Sequence, residues 1–387
     1  MSWKNIIGQK QQIRVLQNAI ETGRLAHAYL FTGPEASGKE SIAFELARVL
    51  NCRNSRENPE NGSCGTCPDC MQIAAFMHPN IEYVFPVEAA LLDGGETPKK
   101  ENKKFTEARE RYEALIEEKK LNPYFTPSMD RSMGILSEQI VALQHKALYM
   151  PSEGSRKIFI ISQADRMNPA AANKLLKLLE EPPGHVMFIL VSSRPDAVLP
   201  TIRSRCQEIR FQRASPQELR QWLQENRPDI TEPELGFTVN FSRGNLALAW
   251  ELMSRSGSSE GIPAVLLRNQ AIDYLRLVLT PNRFHEALTA CENHAKNLSK
   301  PEVVLFLGAL LLFFQDVNHR LIVPGFKGLN NPDISPAIDR FTKSFPNPDF
   351  FAISTLTEEA IRAIDRNANP LLVLSAWTAE IRTLIRK

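Results

Sequence analysis

Two hydrophobic rhythms alternate along the first half of the chain. In "QKQQIRVLQNAIETG", Ile13, Leu16 and Ile20 recur at helical spacing and stop at Gly23. "AYLFTG" follows as a short apolar strand, then "KESIAFELARVLN" as a helix with Ile42, Leu46 and Leu50 on one face. The same alternation returns later. "HPNIEYVFPV" reads as a strand, "GILSEQIVALQHKALYM" as an amphipathic helix and "KIFIISQADRMN" as a strand running out into an acidic turn. "NPAAANKLLKLLEEPPG" enters a helix at Asn-Pro and leaves it at Pro182-Pro183, and "HVMFILVSS" is apolar on both faces. Strands of this kind interleaved with helices predict an α/β layer built on a parallel sheet. From about Ser215 the strand signals stop and the pattern is helical, with a Gly/Ser-rich joint at "SRSGSSEG".

One stretch breaks the alternation. Residues from about 88 to 131 carry "DGGETPKKENKK", a charged run around Phe105 to Lys120, and "NPYFTP". They read as an insertion, partly helical and partly mobile, that leaves the α/β core and whose removal keeps the domain folded.

Length and composition fit this division. The chain has 387 residues, 43% of them hydrophobic and 23% charged, which suits two or three soluble domains. The net charge of +2 gives no electrostatic case for nucleic acid by itself. "MSWKNIIGQKQQIR" has no apolar segment of the signal-peptide type, and the longest apolar run, Val303 to Phe314, reads as a buried helix too short for a bilayer. The expected location is the cytoplasm.

Three groups of residues carry candidate chemistry. "GPEASGKES", between strand and helix, is a phosphate-loop pattern. Gly33 and Gly38 let backbone amides close around phosphate oxygens, and Lys39 would reach the outer phosphates. The magnesium-binding hydroxyl due at position 40 is replaced by Glu40, and Ser41 comes one residue late, about 100° around the helix. At the end of the later strand, where nucleotide hydrolases carry two acids, stand Ser162 and Gln163. Next, Cys52, Cys64, Cys67 and Cys70 cluster among six cysteines, with Cys206 and Cys291 apart. Two CxxC steps and a distant fourth thiolate suit a closed, structural zinc site, with His78 a solvated neighbour and not a ligand. Last, "RSRC" places Arg203 and Arg205 just beyond a strand end, at an expected domain edge.

Together, "IIGQ", "RLAHAYLFTGP", the four-cysteine insertion, "ANKLLKLLEEPP" and "LPTIRSRC" resemble the bacterial replicative clamp loader subunits of the AAA+ class, over about Trp3 to Arg213. The resemblance implies an AAA+ domain at 1–213 containing the zinc module (52–70) and the insertion, a small helical lid at 214–260 and a helical collar at 261–387. Its motor subunits, gamma/tau, keep the hydroxyl and the acid pair. This chain is more similar to the delta-prime type, a stator without hydrolysis, and it stops without the long tail of tau. The resemblance then implies that Arg205, with Arg203 as the alternative, acts in trans as an arginine finger on a γ-phosphate held by a neighbour. It implies as partners the gamma/tau and delta subunits and, through the complex, the sliding clamp and primer-template DNA, within a DNA polymerase III holoenzyme. Weak ATP or ADP binding through Gly33, Gly38 and Lys39 stays open. Two rivals remain at this point. One is a working gamma/tau-like ATPase that uses Asp165 or Glu180 as its acid. The other is a metal-dependent nucleic-acid module at the cysteines, which the mixed polar stretch "NSRENPENGS" disfavours.

Overall fold

The computed structural model describes residues 3–55, 61–92, 103–151, 155–255 and 262–386. Most of "DGGETPKKENKK" and of the "SRSGSSEG" joint lies outside these residues. The chain divides into two compact units, one of Met1–Leu219 with Gly244–Trp250, the other of Arg220–Arg243 with Glu251–Lys387.

The first unit is built on a five-stranded, wholly parallel sheet in the order β2-β3-β4-β1-β5. Its strands are β1 (Ala28–Thr32), β2 (Ile81–Val84), β3 (Lys157–Ile161), β4 (Val186–Ser192) and β5 (Gln207–Arg210). Every residue of β1, β3 and β4 is buried, which is why these strands read as unbroken apolar runs and not as alternating ones. The alternation survives as a division between two cores. Tyr29, Phe31, Ile158, Ile160 and Ile189 join the core that takes Leu16 from α1 (Lys10–Glu21) and Ile42 and Leu46 from α2 (Lys39–Asn51). Ala28, Leu30, Phe159, Ile161 and Leu190 join the opposite core. There they meet α5 (Ser137–Ala147) and α6 (Pro169–Glu180), whose ranges follow those of α3 (Pro68–Ala74) and α4 (Lys103–Leu121).

Helix boundaries follow local chemistry. Asn168 caps α6 by accepting a 2.7 Å hydrogen bond from the Ala171 amide, with Pro169 next in line where no N–H is needed. The glycine loop joins β1 to α2, as the sequence requires. Gly33 is also fixed by packing: at φ +142° its Cα lies so close to Phe211 that an added Cβ would sit 2.4 Å from that residue's carbonyl oxygen.

In its described residues, 88–92 and 103–131, the inserted segment packs on the core, contrary to the sequence expectation. Its helix α4 turns Ala108, Tyr112, Leu115 and Ile116 toward Phe85 and Val87, which extend the chain beyond β2, and Met129 completes the cluster. The Tyr112 ring stacks on Phe85 at 5.3 Å with planes 7° apart. Tyr124 is buried and its hydroxyl accepts a hydrogen bond from the Ile7 amide. These residues close the β2 side of the sheet, so deleting the segment would expose core and not a surface loop.

The second unit is helical in every described element. Its longest helix, Lys300–Ile322, starts at a capping box in which Glu302 accepts from the Ser299 amide and hydroxyl. That helix is longer than its apolar run suggests. Length and composition would let it cross a membrane, but 67% of its most apolar window is buried inside the unit, where Leu305, Phe306, Leu310 and Phe314 form core. Trp377 donates to Thr357 at 3.0 Å in the same interior.

One consequence concerns the glycine loop. Gly33→Ala is expected to lower the unfolding free energy of the first unit by about 1–3 kcal/mol, because the added methyl forces Phe211 and the loop apart. Equilibrium denaturation checks this, and an unchanged midpoint would contradict it.

Candidate functional site

The glycine loop, the end of β3 and the inserted segment converge on one cleft of about 270 Å³, lined among others by Gly38, Lys39, Glu40, Tyr124, Ser162 and Arg166. The residues that replace a hydrolase's metal ligands are not idle in it. Glu40, at the first turn of α2, is buried and accepts hydrogen bonds from Ser162 Oγ and, at 2.8 Å, from Tyr83 Oη. Lys119, from the last turn of α4, donates at 2.5 Å to Glu40 Oε2, the same oxygen that Tyr83 bonds, and its side chain is only 2% exposed. The ammonium also donates to the carbonyls of Pro123, at 3.0 Å, and Phe125. Burial pulls the Lys119 ammonium down from its usual range, and the Glu40 charge beside it pushes back up. Burial, and then the Glu40 charge, hold the Tyr83 phenol well above its usual range.

The neighbouring positions point the same way. Ser41 Oγ donates to the Pro123 carbonyl at 3.0 Å, so the late hydroxyl serves the inserted segment. Gln163, in left-handed backbone at φ 52°, donates to the Pro127 carbonyl at 2.9 Å. Arg166 reaches Ser128 and Ser132. Lys39 curls back on its own loop, donating to the carbonyls of Gly33 at 2.7 Å and Pro34. Burial brings the Lys39 amine down to about 8, against the opposing pull of Glu40, Glu35 and Asp165.

This arrangement does not fit a magnesium nucleotide. A carboxylate already bonded to an ammonium, a phenol and a hydroxyl stands where the metal-binding hydroxyl would be, and the loop lysine is turned onto carbonyl oxygens. Sequence reasoning found the replaced positions but missed Lys119, Tyr83 and the turn 123–127. The available signal was the stripe Ala108, Tyr112, Leu115, Ile116, Lys119 on one face of α4.

The two acids considered as substitutes are both engaged. The Asp165 side chain is buried, accepts from Ser192 Oγ at 2.7 Å and pairs with Arg194 at 3.1 Å. Glu180, at the end of α6, pairs with Arg205 at 2.8 Å.

Arg203 ends α7 (Pro200–Arg203) and Arg205 follows two residues on. Neither is among the residues that line the cleft. Arg205 is about one third exposed and also donates to the Thr201 carbonyl at 3.0 Å, while Arg203 meets Asp196 at 3.4 Å. Between them and β5, Cys206 turns inward against the core, and burial pushes its thiol up to about 12.

The sulfurs of Cys52, Cys64, Cys67 and Cys70 all lie within 4.8 Å of one another. Cys64 and Cys70 are 4.0 Å apart and Cys52 and Cys67 3.9 Å. Four sulfurs bonded tetrahedrally at about 2.3 Å from a zinc ion are separated by about 3.8 Å, so this group could hold a metal such as zinc. Amide N–H groups of Cys64 and Cys67 point at Cys52 and Cys64 sulfurs, as suits thiolates. Burial raises the Cys64 thiol, but the Thr66 and Cys67 amides outweigh it and bring the group down to about 6. His78 lies outside this group and is buried, not solvated as expected: its Nε2 is 3.5 Å from Asp69 and its Nδ1 accepts from the Asn80 amide. The knuckle is tied to α2 by Glu45, whose buried carboxylate accepts from the Ser63 amide at 2.8 Å and hydroxyl at 2.9 Å.

A parallel sheet carrying a glycine loop between β1 and α2, followed by a helical unit, defines a protein of the AAA+ class. The family described as DNA polymerase III, delta subunit, matches residues 8–215, and the chain belongs to it. The chain is similar to the DNA polymerase III subunit delta' of Bacillus subtilis, at 30% identity over 69% of this chain and 66% of that protein. It is also similar to the DNA polymerase III subunit tau of the same organism, at 24% identity over 84% of this chain and 52% of the relative. It therefore spans two thirds or less of either relative's length. Among solved structures, a gamma subunit-related protein of DNA polymerase III from Thermotoga maritima aligns over 97% of this chain and 100% of that one, with 17% identity and a TM-score of 0.44.

The cysteine geometry carries its own test. Metal analysis of the native protein is expected to find about one ion per chain, and Cys52→Ser to lose it and weaken the first unit. Four thiols that titrate freely in the untreated protein, with no metal released, would contradict this.

Proposed function

We propose that this chain is the non-hydrolysing stator of a replicative sliding-clamp loader, lending Arg205 in trans to an ATP-hydrolysing neighbour while the clamp is loaded onto primed DNA. The observation that carries the reading is the buried Glu40 carboxylate, bonded to Ser162, Tyr83 and Lys119 at the place a hydrolase keeps for magnesium. A site so filled offers no ligand set for the metal and no free acid to orient water. Membership of the DNA polymerase III delta-subunit family supplies the context.

In this reading the partners are gamma/tau motor subunits and the delta subunit, and the clamp and primer-template DNA are met through the complex. The cysteine group holds a structural zinc ion, whose four thiolates leave no open position for catalysis. The place of action is the cytoplasm, as an oligomeric part of the polymerase. The domain reading follows the resemblance, with an AAA+ body to about 213, a helical lid to about 260 and a helical collar beyond.

Arg205 suits its role on chemical grounds. A guanidinium is permanently charged and planar, and its paired N–H groups match phosphate oxygens. It stands outside its own chain's cleft, so it would serve a nucleotide bound elsewhere. Glu180 holds it at 2.8 Å, an exposed pair that a phosphate with more negative charge can displace. A finger of this kind is worth roughly 10³–10⁵ in rate at the site it serves.

The rival reading, a working gamma/tau-like ATPase, draws on the similarity to tau and on the retained Lys39. The engaged states of Asp165, Glu180 and Lys39 weigh against it.

Two measurements separate the readings. The isolated chain is expected to show no ATP turnover, and turnover abolished by Lys39→Ala would favour the rival. In the assembled complex, Arg205→Ala should leave assembly intact and remove DNA- and clamp-stimulated hydrolysis at one neighbouring site, so the total falls partially. Arg203→Ala is tested beside it. Wild-type ATPase and clamp loading by both assembled variants would overturn the proposal.

A further inference from the structure

Four positions that differ from a working nucleotide site share one neighbour. Glu40 meets Lys119, Ser41 meets the Pro123 carbonyl, Gln163 meets the Pro127 carbonyl, and Ser162 shares the Glu40 carboxylate with Lys119. All of these contacts lead to the inserted segment. Independent losses in an unused pocket would leave unrelated residues facing water. Here they form one hydrogen-bonded set with matched charge.

The Lys119 ammonium resembles a bound cation in its surroundings. It is fully buried, and its three N–H donors are met by one carboxylate and two backbone carbonyls. An ammonium in a cage of oxygens satisfies the same electrostatic need as a metal ion beside a carboxylate. Tyr124 closes the cleft from the same segment, and its ring lies near Gly38, where an added Cβ would be 3.6 Å away. Asn122 continues the contact by donating to the Ala247 carbonyl at 3.1 Å.

We propose that residues 103–131 are a built-in ligand of the glycine-loop site, with the Lys119 ammonium standing in for the metal ion and the turn 123–127 for the nucleotide. Binding energy that a motor subunit draws from Mg-ATP is here supplied within the chain. The first unit is therefore held in one state through every cycle, whatever the nucleotide concentration. The inference deepens the stator reading, since a subunit that braces a neighbour's ATPase must not open and close with its own nucleotide. It also explains why this segment is packed and not excursive.

The test uses the full chain. Unfolding of the wild type is followed with and without Mg-ADP at about 1 mM, a concentration that shifts the midpoint of any protein binding it in the micromolar range. Amide hydrogen exchange in α2 is then compared between wild type, Lys119→Met, and Lys119→Met combined with Glu40→Gln. The expected results are no midpoint shift in the wild type, at least ~10-fold faster exchange at the start of α2 in Lys119→Met, and partial recovery in the double variant, where no carboxylate is left unpaired. A clear Mg-ADP shift in the wild type, which needs no variant to fold, would overturn the proposal. So would equal protection of α2 in wild type and Lys119→Met. The stator reading fails separately: if Arg205→Ala leaves the complex's ATPase unchanged while these results hold, the trans role is lost and the built-in ligand stands.

Discussion

A carboxylate buried beside a helix N-terminus must be paired, and Glu40 organises this domain through that requirement. Taking an ionised group out of water costs several kcal/mol unless opposite charge and hydrogen bonds surround it. The helix N-terminus favours a negative charge but cannot satisfy every lone pair. Three side chains from three distant parts of the sequence complete the set: Tyr83 from β2, Lys119 from α4 and Ser162 from the end of β3. The sheet edge, the inserted helix and the glycine loop are thereby fixed to a single point. Removing any one partner leaves a buried charge short of a bond, so the set is held as a whole.

This constraint links the fold to the functional reading. The glycine loop is held by Gly33 packing on Phe211 and by Lys39, which satisfies the loop's own carbonyls. The helix behind it, α2, is gripped at its start by the inserted segment and farther along by Glu45, which holds the cysteine knuckle at Ser63. A helix held at both of these points, behind a loop that satisfies its own carbonyls, is a firm support. Away from the cleft, Cys206 packs partly buried against the core and its neighbour Arg205 pairs with Glu180. A firmly held body that carries Arg205 outside its own cleft is what the proposed role in a neighbour's hydrolysis requires.

Much of this was legible in the sequence, for identifiable reasons. Strands buried on both faces, such as "KIFII" and "HVMFILV", announce themselves by continuous apolar character, and Asn168-Pro169 marks a helix start by its chemistry alone. The cysteine spacing predicted a cluster whose sulfurs do converge. The inserted segment was misread because its buried face ends in a lysine. Lys119 has the composition of a solvated residue, and only its distant partner Glu40, 79 residues away, makes it a core residue. Likewise His78 looked solvated because its partner Asp69, nine residues earlier, gives no local signal. Patterning reports what a residue does with its near neighbours on a helix or strand, and it is silent on a charge matched across the fold.

The most direct single measurement is a structure of the assembled complex with a slowly hydrolysed ATP analogue and magnesium. The account predicts the analogue in a neighbouring subunit with the Arg205 guanidinium within hydrogen-bond reach of its γ-phosphate, and the Glu40–Lys119 pair unbroken in this chain. Analogue bound in this chain's own glycine loop, with Lys119 displaced from Glu40, would contradict it.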